Sequence, residues 1–211
     1  ARLRVELANY FAAAFLMPYE PFRQEAEAAA YDIDRIATEF STSFEQVCQR
    51  LTTLQREGAR GVPFFFLRID KAGNVTKRFN STPFHLAEYG GSCPVWNIHT
   101  AFYQPGVMMP QFVEMPDGAR YFTISRTVHR PVFSEETQDR RLTLALGCEA
   151  KYAHRLRYAS SYKFDDPKLY APIGLNCNLC SRQACSQRAH QPLLMELPID
   201  ENRRGTTRYE S

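Results

Sequence analysis

"VPFFFLRIDKAGNVTKRF" runs from Val62 to Phe79. An apolar, aromatic run reaches "DKAGN" and returns as "VTKRF". Asp70 and Asn74 favour a turn, and Gly73 accepts a positive φ, so the stretch predicts a β-hairpin. "QFVEM-PDG-ARYFTISRTV" (residues 111–128) repeats the design around Pro116-Asp117-Gly118. "RLTLALG" (141–147) predicts a fifth strand. "CPVWNIHTAFY" predicts a short helix opening near Pro94, and "EAKYAHRLRYA" (149–159) a helix after the fifth strand. The order ββ-α-βββ-α predicts an α+β fold. It has a central antiparallel sheet with flanking helices, an order shared with small-molecule sensor domains of the GAF/PAS type.

Upstream, Leu3, Leu7, Tyr10, Phe11, Ala14 and Phe15 recur at three- and four-residue spacing, which predicts an amphipathic helix ended by Pro18. "YDIDRIATEFSTSFEQVCQRLTTLQ" predicts two further helices. Ser41, Thr42 and Ser43 are candidate N-caps of the second, and Phe44, Val47, Leu51 and Leu54 form its inner face. A DNA-reading helix-turn-helix and a packing pair both fit this outline. The outer face carries Glu45, Gln46 and Gln49 instead of a basic stripe, which favours the packing pair. "REGARG" (56–61) reads as a linker. Organisation follows as a helical segment at 1–57, an α+β domain at 58–170, a cysteine-rich segment at 171–192 and a polar tail at 193–211.

The 211 residues are 44% hydrophobic and 23% charged, ordinary for a globular chain. A net charge of +3 is too small to argue for a nucleic-acid coat. No apolar run approaches the roughly 20 residues of a membrane helix. Without an initiating Met or a signal peptide, the chain reads as an excised fragment of a cytoplasmic protein.

"IGLNCNLCSRQACSQRAH" (173–190) places Cys177, Cys180 and Cys185 as C-x2-C-x4-C. Two thiolates spaced C-x2-C can grip one metal from a tight loop, and a third strengthens that reading. A redox dithiol would open a helix after a strand, which Asn176 and the preceding "APIGLN" do not suit. His190 would complete a zinc site of the form C-x2-C-x4-C-x4-H. Cys148, at the end of the fifth strand, would instead supply the remote thiolate of an iron–sulfur cluster. Spacing leaves both open. Cys48 and Cys93, without partners at metal spacing, read as small buried hydrophobes.

"ELANYFAAAFLMPYEPF" (6–22) resembles the end of the zinc-peptidase-like domain of the ImmA/IrrE family. "GGSCPVWNIHTAF", "GCEAKYAHRLRYA" and "PIGLNCNLCSRQACSQRA" resemble the C-terminal half of the short-chain fatty acyl transcriptional regulators. The resemblance covers nearly the whole chain. It implies an acyl-CoA-responsive, non-enzymatic activator of propionate (methylcitrate-cycle) catabolism. It also implies a 4Fe–4S cluster on Cys148, Cys177, Cys180 and Cys185, with zinc as the alternative metal. Relatives usually carry an aromatic where this chain has His190. The His-Glu-x-x-His helix is absent; Glu6 matches the family's remaining carboxylate, and one carboxylate cannot hold a catalytic zinc. DNA would be reached only through an N-terminal helix-turn-helix outside this sequence.

CoA needs cations, a stacking face and a small apolar pocket. Candidates are Arg68, Lys77 and Arg78 on the first hairpin, Arg126, His129 and Arg130 at the end of the second, and Trp96 and His99 between them. Lys151, His154, Arg155 and Arg157 follow the fifth strand. His154 and Arg157 are expected to share a helix face beside Cys148. Two competing functions are a CoA thioester enzyme using Ser92-Cys93 near His99, and a zinc-knuckle nucleic-acid module. The knuckle would use Arg182 and Arg188 but has no aromatic. The cross-linked tail is expected to act as a flap beside the CoA site, with CoA driving a homo-oligomer, a dimer or tetramer.

Overall fold

A computed structural model describes residues 2–85, 91–128, 141–164, 166–197 and 202. The chain opens with α1 (Arg2–Leu16), α2 (Tyr19–Ala28), α3 (Ile33–Glu39) and α4 (Phe44–Leu51). Helix α2 was not foreseen in the sequence. Pro18 ends α1 and also serves as the N-cap of α2, with Pro21 in the first turn, where its missing N–H leaves no bond unmade. Asp32 caps α3 by accepting from the Arg35 N–H. Of the three candidate caps for α4, Ser43 is used, in a reciprocal capping box with Gln46. The apolar stripe of α1 faces outward: Leu3, Phe11 and Phe15 are 72%, 71% and 75% exposed.

The first hairpin is β1 (Phe65–Ile69) and β2 (Val75–Asn80). Its turn is held by Asp70, whose Oδ1 accepts from the Ala72 and Asn74 N–H groups, with Gly73 at φ +80°. A short helix α5 (Asn97–Thr100) continues as a 3-10 turn, Ala101–Tyr103. The second hairpin is β3 (Met109–Glu114) and β4 (Arg120–Val128), turning at Gly118 with φ +84°. Strand β5 (Leu142–Glu149) pairs antiparallel with both β1 and β4, so it joins the hairpins. A sixth strand, β6 (Tyr170–Pro172), adds parallel to β3. The fold is α+β, but the sheet is mixed rather than purely antiparallel, in the order β2-β1-β5-β4-β3-β6. Three residues ending in Pro172 carry too little periodicity to announce a strand.

Strand alternation sorts the core onto two faces. Phe64, Phe66, Phe112, Phe122, Leu144, Leu146 and Cys148 join Phe22, Ile33, Ile36, Val47 and Leu51 of α2–α4. Phe65, Leu67, Val113, Tyr121 and Ala145 face Phe84, Cys93, Trp96, Ile98 and Ile173. The α3/α4 pair is therefore a packing pair. The Glu45 carboxylate takes Arg68 at 2.8 Å and the Gln49 amide oxygen takes Lys77 at 2.9 Å, which commits α4's polar side chains to the hairpin.

The helix expected at 149–159 forms instead as two 3-10 segments, Ala150–Arg155 and Arg157–Ala159, separated by extended Leu156. Every third residue is buried (Ala153, Leu156, Ala159), the three-residue period of that geometry. His154 and Arg157 share the outer face, in solvent. Cross-links to α2 and α3 hold the segment. The Arg157 N–H donates to the Ala30 carbonyl, Arg157 pairs with Asp32, Arg155 pairs with Glu27, and the Tyr158 hydroxyl accepts from the Ile33 N–H.

Candidate functional site

The cysteine-rich segment is moored to the edge strand. The Ile173 N–H and an Arg182 Nη2 both donate to the Glu114 carbonyl, at 3.0 and 2.7 Å, and Arg182 Nε donates to the Ile173 carbonyl. Asn176 caps a 3-10 turn, Cys177–Leu179, by accepting from the Leu179 N–H. This turn brings Cys177 and Cys180 into one loop, with the Cys180 N–H on the Cys177 carbonyl. The Ala189 N–H donates to Cys177 Sγ at 3.4 Å, folding the end of the motif back over its start.

Two features mark this loop as built around something. Gly174 lies against two sulfurs from distant parts of the chain. Its N–H bears on the buried Cys93 thiol, and a Cβ placed on it would stand 2.7 Å from Cys180 Sγ. Burial pushes the Cys93 thiol up, its first cause, with Cys177 and Cys180 adding to the rise; the Gly174 and Val95 N–H groups oppose it. Second, Arg188 is 1% exposed and holds only carbonyls: those of Cys177 and His190 through Nη1, and of Arg182 through Nη2. Its Nε is buried without a hydrogen bond, and among the described residues no carboxylate pairs with it. A buried guanidinium left this way favours an anionic neighbour.

Cys148 is elsewhere. Strand alternation points it into the helix-side core, fully buried, beside Ala153 and Leu156. Burial pushes its thiol well up. The sheet separates it from Ile173 and Cys93, whereas Cys93 and Cys180 share Gly174 as a neighbour. The sequence reads Cys93 as a small buried hydrophobe, which its burial fits, and Cys148 as the remote ligand; the two lie on opposite faces of the sheet. Only Gly91, at φ +73° two residues before Cys93, hinted at a shaped loop. His190, the expected fourth zinc ligand, is exposed. Among the described residues no three Cys, His, Asp or Glu side chains stand close enough to hold one ion. Zinc asks four ligands to converge on a single centre. A cluster spreads its thiolates over several metal atoms.

The candidate CoA residues do not converge on one pocket. Arg68, Lys77 and Arg126 face the helices; Arg68 pairs with Glu45, and Arg126 pairs with Asp34 at 2.5 Å over the Phe44 ring. Arg78 is exposed on the edge strand, and Lys151 pairs with Glu149. His129 and Arg130 lie outside the described residues. Trp96 is core, packed edge-on against Phe65 and Phe84 with its Nε1–H on Thr123 Oγ1. His99 lines an open cavity. About 360 Å³ in volume, it is bounded also by Lys71, Phe102, Tyr103 and Arg141. It lies beside the first hairpin's turn, where a Cβ on Gly73 would touch the imidazole at 3.4 Å. Sequence reasoning passed over Lys71 and Arg141, which flank a turn and a strand start. His99 Nε2 is 2.9 Å from Ser92 Oγ, and burial lowers the imidazole's pKa, keeping it neutral. Among the described residues no carboxylate is hydrogen-bonded to that ring.

Known proteins bear on this arrangement. The family described as short-chain fatty acyl coenzyme A regulator, C-terminal, matches residues 53–209. The chain belongs to that family. The IrrE N-terminal-like domain family matches residues 1–52. A propionyl-CoA carboxylase regulator of Cereibacter sphaeroides is 47% identical over 98% of this chain and 44% of its own length. The HTH-type transcriptional regulator PrpR of Mycobacterium tuberculosis is 44% identical over 99% of this chain and 43% of its own length. RamB from the same organism is 42% identical over 98% of this chain. The chain thus spans less than half the length of these relatives. A solved "Mycobacterium tuberculosis transcriptional regulator" superposes with a TM-score of 0.93 at 44% identity, covering 99% of this chain and 63% of that one. Among the described residues no helix is long and apolar enough to cross a membrane.

Proposed function

We propose that this chain is the ligand-sensing part of a transcription regulator of short-chain fatty acid catabolism, binding CoA or a short-chain acyl-CoA. In this reading it also carries an iron–sulfur cluster on Cys93, Cys177, Cys180 and Cys185. The observation that carries the cluster is that Gly174 neighbours both the Cys93 thiol and Cys180 Sγ, in the same segment that buries Arg188 without a carboxylate partner. Thiolates on iron make an anionic centre, which is what Arg188 lacks. When bound, the cluster supplies an anionic cross-link and a redox-responsive centre. The chain's own residues do the rest: Arg182 moors the loop to β3, Asn176 shapes the turn, and Ala189 donates to Cys177.

For CoA, the cavity at His99 combines cations (Lys71, Arg141) with aromatic faces (Phe102, Tyr103). This is the pairing that a pyrophosphate and an adenine require. In this reading DNA contact is made by a helix-turn-helix outside this sequence; the two mycobacterial relatives are named HTH-type regulators. Assembly as a homo-oligomer joins sensing to DNA binding, because an effector acts only by binding one state better than another. Calorimetric titration of CoA into the chain tests the cavity. Arg141→Gln and Phe102→Ala are expected to weaken binding while Arg126→Gln leaves it unchanged; the opposite pattern removes the cavity from consideration.

A further inference from the structure

A second cavity lies on the helix side of the sheet, away from both His99 and the cysteines. About 320 Å³ in volume, it opens between α1, α4 and β2. Its walls are mainly apolar, from Leu7, Tyr10, Ala13 and Phe79. Arg50 of α4 forms part of it. This arginine is only 3% exposed, an unusual burial for a permanent cation. Its Nε donates to the Met17 carbonyl at 3.0 Å and its Nη1 to Thr53 Oγ1 at 3.0 Å, both neutral acceptors. The guanidinium faces the Tyr10 and Tyr19 rings at 5.8 and 6.0 Å. Among the described residues Arg50 has no carboxylate partner, and its Nη2 makes no hydrogen bond. Other buried or half-buried arginines on this side of the sheet, Arg68 and Arg155, each meet a glutamate.

A guanidinium held away from water with its charge unanswered is costly, and the cost falls when an anion comes within reach. A planar carboxylate matches the guanidinium fork. The remaining space is lined mainly by apolar side chains. We infer that this cavity is a binding site for a small organic anion with an apolar body, a short-chain carboxylate, seated with its carboxylate at Arg50 and its tail against Ala13 and Phe79. Lys77 at the cavity's edge adds a second positive charge, and its ammonium sits over the Phe79 ring. The carboxylate of Glu6 also lines the cavity and is the group a ligand must outcompete; it makes no ion pair with Arg50 among the described residues. The occupant would bridge α1 to α4. It would thereby couple the helical segment to a free acid, through a site separate from the CoA cavity.

The test is calorimetric titration of the chain with propionate, butyrate and hexanoate, using chloride and inorganic phosphate as probes without an apolar body. Binding of the carboxylates, tighter for longer chains until the cavity is filled, is expected. Arg50→Gln should weaken it by roughly tenfold or more, the scale of one charge-assisted hydrogen bond. Ala13→Phe should abolish it by filling the space, with CoA binding intact. Glu6→Gln should leave it equal or tighter. Three results would overturn the site: no carboxylate binding to the unmodified chain, chloride or phosphate binding as tightly as butyrate, or Ala13→Phe binding butyrate unchanged. Loss of CoA binding in Ala13→Phe would merge the two cavities and also sink the inference. Thermal melts of each unliganded variant separate lost binding from lost folding.

Discussion

On the helix-covered side of the sheet, arginines meet acids: Arg68 with Glu45, Arg126 with Asp34, and Arg155 with Glu27. The cysteines there, Cys48 and Cys148, are sealed among aliphatic and aromatic side chains, and burial pushes both thiols up. On the opposite side, where the tail docks, Arg188 is buried among carbonyls and cysteine approaches cysteine across Gly174. The same residue types are neutralised on one side and left incomplete on the other. An interior that has answered its charges needs nothing further, whereas one that has not calls for a ligand. The Arg50 cavity is the exception within the first side, and for the same physical reason.

The sharpest way to break this contrast is to exchange serine for cysteine on each side. Cys93→Ser and Cys180→Ser are expected to lose nearly all bound iron after anaerobic reconstitution, while Cys148→Ser keeps it. Iron content by colorimetric assay decides, and full retention in Cys93→Ser would restore the pairing that spacing suggested.

Two glycines sharpen the comparison next. A Cβ at Gly147 would meet the Phe65 ring at 2.3 Å, inside an aromatic stack that includes Phe84 at 4.1 Å. Gly147→Ala should therefore lower stability by about 2 kcal/mol or more, as overpacking does, read by thermal or denaturant unfolding. Gly174→Ala presses on Cys180 Sγ within the docked tail segment instead. It should leave the unfolding midpoint nearly unchanged and reduce iron retention.

Arg188→Met removes the unanswered charge and keeps the side chain's bulk. Without metal, the tail should resist limited proteolysis at least as well as before. With the cluster formed, iron retention should fall by roughly tenfold, on the scale of a lost charge-assisted interaction. A drop in both states would assign Arg188 to packing alone.

The smallest effect concerns pH. Burial lowers the His99 pKa below its ordinary 6.5. The unfolded chain then takes up a proton first as pH falls, so stability is full above about 6.5 and declines between that value and the lowered folded one. Below the folded value the slope from this group ends. His99→Gln should flatten the decline in a series of chemical denaturations, and an unchanged slope would move its origin to another group.

Much of the fold was legible because it rests on local signals. Both hairpins announce themselves through Asp70-Gly73 and Asp117-Gly118, and Ser43 with Gln46 spells a capping box three residues apart. Other parts rest on contacts that no window contains. Strand β6 has three residues and exists because β3 offers it an edge. The segment after β5 looks helical by composition, yet α2 and α3 hold it as 3-10 turns through Glu27, Asp32 and the Ala30 carbonyl. The candidate cluster site was half legible. C-x2-C-x4-C is visible as spacing, whereas Cys93 has no partner at any short spacing.

By itself, then, the sequence determined that this is an α+β chain, with two hairpins and a fifth strand and a metal-suited cysteine loop near its end. Turn residues, caps and alternation act over a few positions and do not depend on the rest of the chain. Only the tertiary structure decided which sulfur the loop meets and which charges stay unpaired. Strand pairing sets which face each side chain occupies, so Cys148 lies with the helix-side core and Cys93 with the opposite one, which no spacing announces.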